Sequence, residues 1–268
     1  LGNESYTSPA VVKIDGEDTK GLTIMDAVRK LRGSRGTDVT ISIMRNAFDA
    51  PKDFTITRDI IKIQSVRHRV LTDNIGYIRI SSFQENTTDD LKDALKSLRS
   101  SSPALQGIVL DLRNNPGGLL DQAITAADQF LKSGTIVSTA GRDARGSERK
   151  FSARNLGTEP DVPIIVLVNG GSASGSEILA GALRDNDKAL LLGTQTFGKG
   201  VMQMIIPLRD GSALKLTTAK YFTPSGVSIQ AKGLTPDFVV EYRPTEAVND
   251  EMKPLREKDL EGHIEGDV

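Results

Sequence analysis

The chain has 268 residues, 34 basic against 35 acidic side chains, no cysteine and 38% apolar residues. That near-neutral balance gives no electrostatic footprint for nucleic acid or an anionic membrane. The missing cysteine excludes disulfides, thiolate metal sites and a cysteine nucleophile, and no apolar run nears the roughly 20 residues that span a bilayer. What remains is a soluble globular protein of one large or two smaller domains. His68 and His263 are its histidines, both far in sequence from the small-residue stretch discussed below. The chain opens Leu1-Gly2-Asn3, without Met or a basic leader, so its start reads as processed or cut.

Val11 to Glu17 predicts a short strand with an Asp-Gly turn, followed by a helix with Thr23 as N-cap, Ile24, Ala27, Val28 and Leu31 on one face, and Gly33 as its stop. Val39 to Ile43 alternates as a half-buried strand. This order is similar to the second half of a PDZ domain. Leu1 to Ala10 are too short and too polar to supply the first half. Phe54 to Arg58 and Ile60 to Ile63 read as strands leaving this module. Asn74 to Ile80 predicts a strand and Thr88 to Arg99 an amphipathic helix, with Leu91, Ala94, Leu95 and Leu98 facing inward. Gly107 to Leu112 is a continuous apolar strand expected to be buried on both faces. It runs into Arg113-Asn114-Asn115-Pro116-Gly117-Gly118 and a helix from Leu119 to Leu131. Strands alternating with helices predict an α/β core.

Ala140 to Pro160 is polar and basic and reads as a mobile surface loop. Val162 to Val168 is a buried strand ending in Asn169-Gly170-Gly171-Ser172-Ala173-Ser174-Gly175-Ser176-Glu177, with a helix after it. Leu190 to Gly193 is a second apolar strand, leading to Thr194-Gln195-Thr196-Phe197-Gly198-Lys199-Gly200. Val201 to Leu208 and Ala213 to Leu216 form a hairpin around Asp210-Gly211, and Thr223 to Gly226 is a turn. Beyond Tyr242 the chain is charged and reads as a peripheral tail.

The serine cluster sits where a strand turns into a helix, so backbone N–H groups and the helix dipole favour a negative oxygen there. Ser172, Ser174 and Ser176 all compete as nucleophile. Ser176 reads as the N-cap and Ser174 as the turn itself, and position alone does not choose between a catalytic and a merely structural cluster. None of the three sits in a full Gly-x-Ser-x-Gly elbow. Gly193 to Lys199 matches most of a P-loop, but Gly200 stands where Ser or Thr should hold Mg²⁺, and a strand follows instead of a helix. On that strand Lys199 and Gln203 are four apart and face the same way, so Gln203 is placed to aim the lysine amine. Flanking Phe197 and Val201 partly desolvate it, which disfavours the ammonium form. Ser147/Lys150 and Ser212/Lys215 also fit Ser-x-x-Lys and read as chance.

These blocks together resemble the C-terminal processing peptidases (tail-specific proteases). They comprise the Asn169 to Ile178 stretch, Gly193 to Gln203, Asp111 to Gly118, and Ala219 to Gly226 with the sequence Ala-Lys-Tyr-Phe-Thr-Pro-Ser-Gly. The resemblance runs from Val11 to Val240. It implies a metal-free and cofactor-free serine endopeptidase with Ser174 as nucleophile, Lys199 as base and Gln203 as its support. The oxyanion hole would use the amide of Gly175 and that of Gly117 or Gly118. The family's pattern has Ala after the nucleophile, and this chain has Gly175. The implied fold is a ClpP/crotonase-like α/β spiral over residues 59–243, with a partial PDZ-like module over residues 1–58 that gates substrate access and a charged tail over 244–268. The expected partners are protein or peptide substrates recognised by their C-termini, not nucleic acid, with a homo-oligomer and an adaptor or membrane-associated protein as further candidates. The expected location is extracytoplasmic, the bacterial periplasm first. Two rivals stand beside this reading: a catalytically silent peptide-binding scaffold of the same fold, and an acyl-CoA enzyme on the crotonase-like fold that shares the oxyanion hole.

Overall fold

A computed structural model describes residues 10–59, 64–102, 104–141, 148–156, 160–241 and 255–266. The chain divides between Ile63 and Gln64 into two compact units.

The first unit is a four-stranded antiparallel sheet with one helix. Strands β1 (Ala10–Ile14), β2 (Glu17–Asp18), β3 (Asp38–Met44) and β4 (Lys52–Thr57) lie in the order β2-β1-β3-β4. Helix α1 (Ile24–Leu31) begins where the sequence predicts, because the Thr23 side chain accepts the Asp26 N–H. It ends two residues before Gly33, and Arg58 holds that end by donating to the carbonyls of Lys30 and Leu31. Its predicted apolar face is only half covered: Ala27 and Val28 are half-buried, Ile24 and Leu31 exposed. The strand expected over Ile60 to Ile63 lies outside the described residues.

The second unit holds the larger core. Its main sheet contains β5 (Val66–Val70), β6 (Ile75–Ile80), β7 (Gly107–Asp111), β10 (Ile164–Val168), β11 (Ala189–Gly193) and β14 (Phe238–Val239). The order is β14-β11-β10-β7-β6-β5, parallel throughout except for the edge strand β5. Helices α2 (Thr87–Ser101), α3 (Leu120–Asp128) and α4 (Gly175–Asp185) share one core with it. Ile78, Ile80, Leu110, Val166 and Leu191 point into that core, and Leu91, Leu98, Ala126 and Leu183 meet them from the helices. The parallel pairs β6–β7, β7–β10 and β10–β11 are each joined through a helix, and β11 reaches β14 through the hairpin of the second sheet. β7 is buried almost end to end, as predicted. β10 and β11 bury alternate residues and leave Ile165 and Leu190 exposed.

A second sheet is antiparallel, in the order β12-β13-β8-β9. It contains β8 (Thr135–Gly141), β9 (Arg149–Ser152), β12 (Val201–Pro207) and β13 (Ala213–Phe222). β9 corrects the expectation of a loop from Ala140 to Pro160. It pairs with β8 at the sheet's edge with three of four residues exposed, so it carries no apolar period. The described part of the tail is mostly exposed. Residues 255–266 dock on the second unit, where Glu257 N–H donates to Phe197 O and Arg256 Nη1 to Gln195 Oε1. Among the described residues no helix is long and apolar enough to cross a membrane.

Candidate active site

Three neighbouring parallel strands deliver the site. β7, β10 and β11 lie side by side, and from the carboxyl end of each comes one loop: Asn114 to Leu119, Asn169 to Ser174, and Thr194 to Gly200. Open parallel sheets place ligands at this edge. The loops are tied to one another through the backbone. Ala173 N–H donates to Asn115 O, Phe197 N–H to Ser172 O, and Asn114 N–H to the Asn169 side chain.

The structure separates the three serines. Ser172 is fully buried, and its hydroxyl donates to Leu112 O at 2.8 Å while accepting Asn169 N–H. Ser176 is also fully buried and donates to Asn115 O at 2.9 Å. Ser174 is half-buried, unlike its two neighbours. Its backbone sits at φ 55°, ψ −113°, a region costing about 1–3 kcal/mol outside glycine. α4 begins at Gly175, so the N-cap is Ser174 and not Ser176. The side chain that closes this cap is Glu177, three residues on, whose Oε2 accepts Ser174 N–H at 2.9 Å.

Glu177 is completely buried. Its Oε1 also accepts Thr196 Oγ1–H at 2.5 Å and Gly198 N–H at 2.8 Å, and its Oε2 accepts Lys199 N–H at 2.9 Å. Burial pushes its carboxyl up to about 7, against the pull of the hydrogen bonds from Thr196, Gly198, Ser174 and Lys199. This explains the failed P-loop. The amides that would cradle a phosphate already hold a carboxylate from within the chain, and β12 follows them in place of a helix.

Lys199 is half-buried and precedes β12, and a bulge separates Met202 from Gln203. The expectation of one strand face carrying both Lys199 and Gln203 is therefore corrected, although both line the same groove as Ser174. That groove encloses about 760 Å³, with Gly118, Leu119, Met202 and Tyr221 also on its wall. Among the described residues no hydrogen bond joins Ser174 Oγ to Lys199 Nζ, or Lys199 Nζ to Gln203.

The two glycines of the β7 loop differ. Gly117 packs against the serine turn so tightly that a Cβ would lie 2.8 Å from Ala173 O and from Ser174 Cβ. Its N–H is taken by Asn115 Oδ1 at 2.9 Å. Gly118 lines the groove, and among the described residues its N–H has no partner within the chain. Gly118 sits at φ 147°, where a Cβ would collide with Phe83 O, so only glycine fits. At Gly175 a Cβ would lie 3.0 Å from the Phe83 ring. Sequence reasoning missed two residues of this framework. Asn115, fully buried, donates to Ile80 O and receives Gly117 N–H. Glu177 carried one legible signal, the Ser-x-x-Glu spacing from Ser174.

A sequence profile described as peptidase family S41 matches residues 74–240, more than half of the chain. The chain belongs to peptidase family S41. The carboxy-terminal-processing protease of Bartonella bacilliformis is 51% identical over 258 residues, covering 96% of this chain and 59% of its own length. The carboxyl-terminal-processing protease of Synechocystis is 42% identical over 236 residues, covering 86% and 54%. Among solved structures, a photosystem II D1 C-terminal processing protease is similar at 33% identity and a TM-score of 0.61, covering 87% of this chain and 63% of that one. The chain thus spans between half and two thirds of these S41 relatives, and the mixed α/β fold is theirs.

Proposed function

We propose that this S41 chain carries the catalytic part of a serine endopeptidase that cleaves proteins at or near their C-terminal tails. One observation carries the reading: a half-buried serine, a lysine and a glycine whose amide has no partner among the described residues line one groove at the ends of adjacent strands. In this mechanism Ser174 Oγ attacks the peptide carbonyl carbon while the Lys199 amine takes the hydroxyl proton. The N–H groups of Gly175 and Gly118 receive the tetrahedral oxyanion. Lys199 returns its proton to the departing amine, and the acyl-enzyme then loses its acyl group to water with Lys199 again as base. Gln203 aims the amine. Gly117 serves as a packing glycine, since Asn115 occupies its amide.

The test is degradation of an unfolded protein with an apolar C-terminus. Ser174→Ala and Lys199→Ala should each abolish it with thermal midpoints preserved. Wild-type turnover in either variant would sink the dyad. The silent-scaffold alternative draws on the missing Ser174–Lys199 hydrogen bond. Catalytic hydrogen bonds often tighten only once substrate is bound, so we read the gap as a resting geometry. A scaffold would bind the same peptide and never cleave it.

The finer architecture belongs to this proposal. We read the second unit as a ClpP/crotonase-like spiral and the first as the latter half of a PDZ-like module that recognises substrate C-termini and gates the groove. The proposed location is outside the cytoplasm, the bacterial periplasm first.

A further inference from the structure

The nucleophile and its base lie on different loops, and something must set their spacing. Ser174 follows β10 and Lys199 follows β11. A single atom joins them. Glu177 Oε2 accepts the backbone N–H of Ser174 and that of Lys199, each at 2.9 Å. The two backbone nitrogens are therefore held within about 6 Å of each other. The other oxygen fixes the approach to Lys199 by accepting Gly198 N–H and the Thr196 hydroxyl. A carboxylate offers about four acceptor sites, and all four are used. Thr196 is in turn fixed by Leu234 N–H, which donates to its hydroxyl oxygen. We propose that Glu177 is a positioning residue, a buried clamp that sets the separation of nucleophile and base without touching substrate.

The clamp rests on the peptidase reading for its consequence in catalysis but not for its existence. Its chemistry makes a sharp distinction between substitutions. Glu177→Gln keeps an oxygen for the Ser174 and Lys199 amides; its new N–H₂ can donate to the Thr196 hydroxyl but gives up the bond from Gly198 N–H. Glu177→Met has nearly the same length and no strong acceptor. Glu177→Asp keeps the carboxylate but withdraws it by one methylene. A role confined to core packing would favour Met, and a role confined to negative charge would favour Asp over Gln.

The experiment measures kcat and KM for peptide hydrolysis in all three variants, together with amide hydrogen exchange at Ser174, Gly198 and Lys199 by NMR. The Gln variant should stay within about tenfold of wild-type kcat. The Asp variant should fall at least about a hundredfold in kcat with KM within about threefold, and the Met variant further or fail to fold. Exchange at the Ser174 and Lys199 amides should be at least about tenfold faster in Asp than in Gln. Equal rates of hydrolysis in Gln and Asp, or unchanged exchange at both amides, would overturn the clamp. Should the wild-type protein hydrolyse no peptide while the exchange pattern holds, the peptidase reading fails and the clamp stands.

Discussion

Ser174 keeps a backbone conformation that a free chain would leave, because its neighbours hold it from several sides. Its own N–H goes to Glu177, its carbonyl accepts Ile178 N–H, and Gly117 presses on its Cβ. Ser172 and Ser176 do the opposite kind of work, satisfying buried carbonyls. We therefore expect Ser172→Ala and Ser176→Ala each to cost about 1 kcal/mol of stability by urea denaturation, while their groove still accepts a serine-directed reagent at Ser174. Glu177 adds a pH signature. Its carboxyl lies at about 7 in the folded protein against an ordinary 4.5, so between these values the folded state binds its proton more readily than the unfolded chain. The stabilisation from this group is complete below pH 4.5 and is lost as pH rises through about 7. In a urea series, the stability of wild type relative to Glu177→Gln should fall by on the order of 3 kcal/mol across that window. A constant difference would show that Glu177 does not titrate there.

Elements extend this bracing. The carboxyl end of β7 carries Asp111, fully buried, which accepts from Tyr77, Arg79 and Arg113. Burial alone would raise its carboxyl, but the hydrogen bonds from Arg113 and Tyr77 outweigh it and hold the carboxyl below its usual range. Its stabilisation is therefore present above the ordinary carboxylate range and lost on acidification. Asp111→Asn should cost about 1–3 kcal/mol at pH 7, a modest figure because both guanidinium groups reach water, and should shrink toward zero at low pH. The docked segment 255–266 braces the lysine loop from its other flank. Gln230 accepts Gly200 N–H and donates to Ile264 O, and Glu257 caps Phe197 O. A chain stopped after residue 254 should retain the sheet, by circular dichroism, and lose at least about tenfold in kcat. Full activity without the segment would make it a bystander.

At the scale of the whole molecule, the strand–helix alternation was legible because parallel strands are apolar runs and α2 is amphipathic. β9 was not legible, since an exposed edge strand of Arg149, Lys150, Phe151 and Ser152 has no hydrophobic alternation. The N-cap was misread at Ser176 because a run of small residues gives no local preference, and only packing against Gly117 and Asn115 decides where the helix begins. The difference between Gly117 and Gly118 was likewise invisible, as it lies in which amide Asn115 takes. Residue chemistry left three serines as candidates, the family resemblance points to Ser174, and the structure buries Ser172 and Ser176. The proposed mechanism requires Ser174 as the reactive serine and Lys199 as its activator. Labelling with a fluorophosphonate, followed by peptide mapping, tests both at once. A single adduct on Ser174 that is lost in Lys199→Ala is the predicted result; an adduct on another serine, or undiminished labelling of Ser174 in Lys199→Ala, would contradict it.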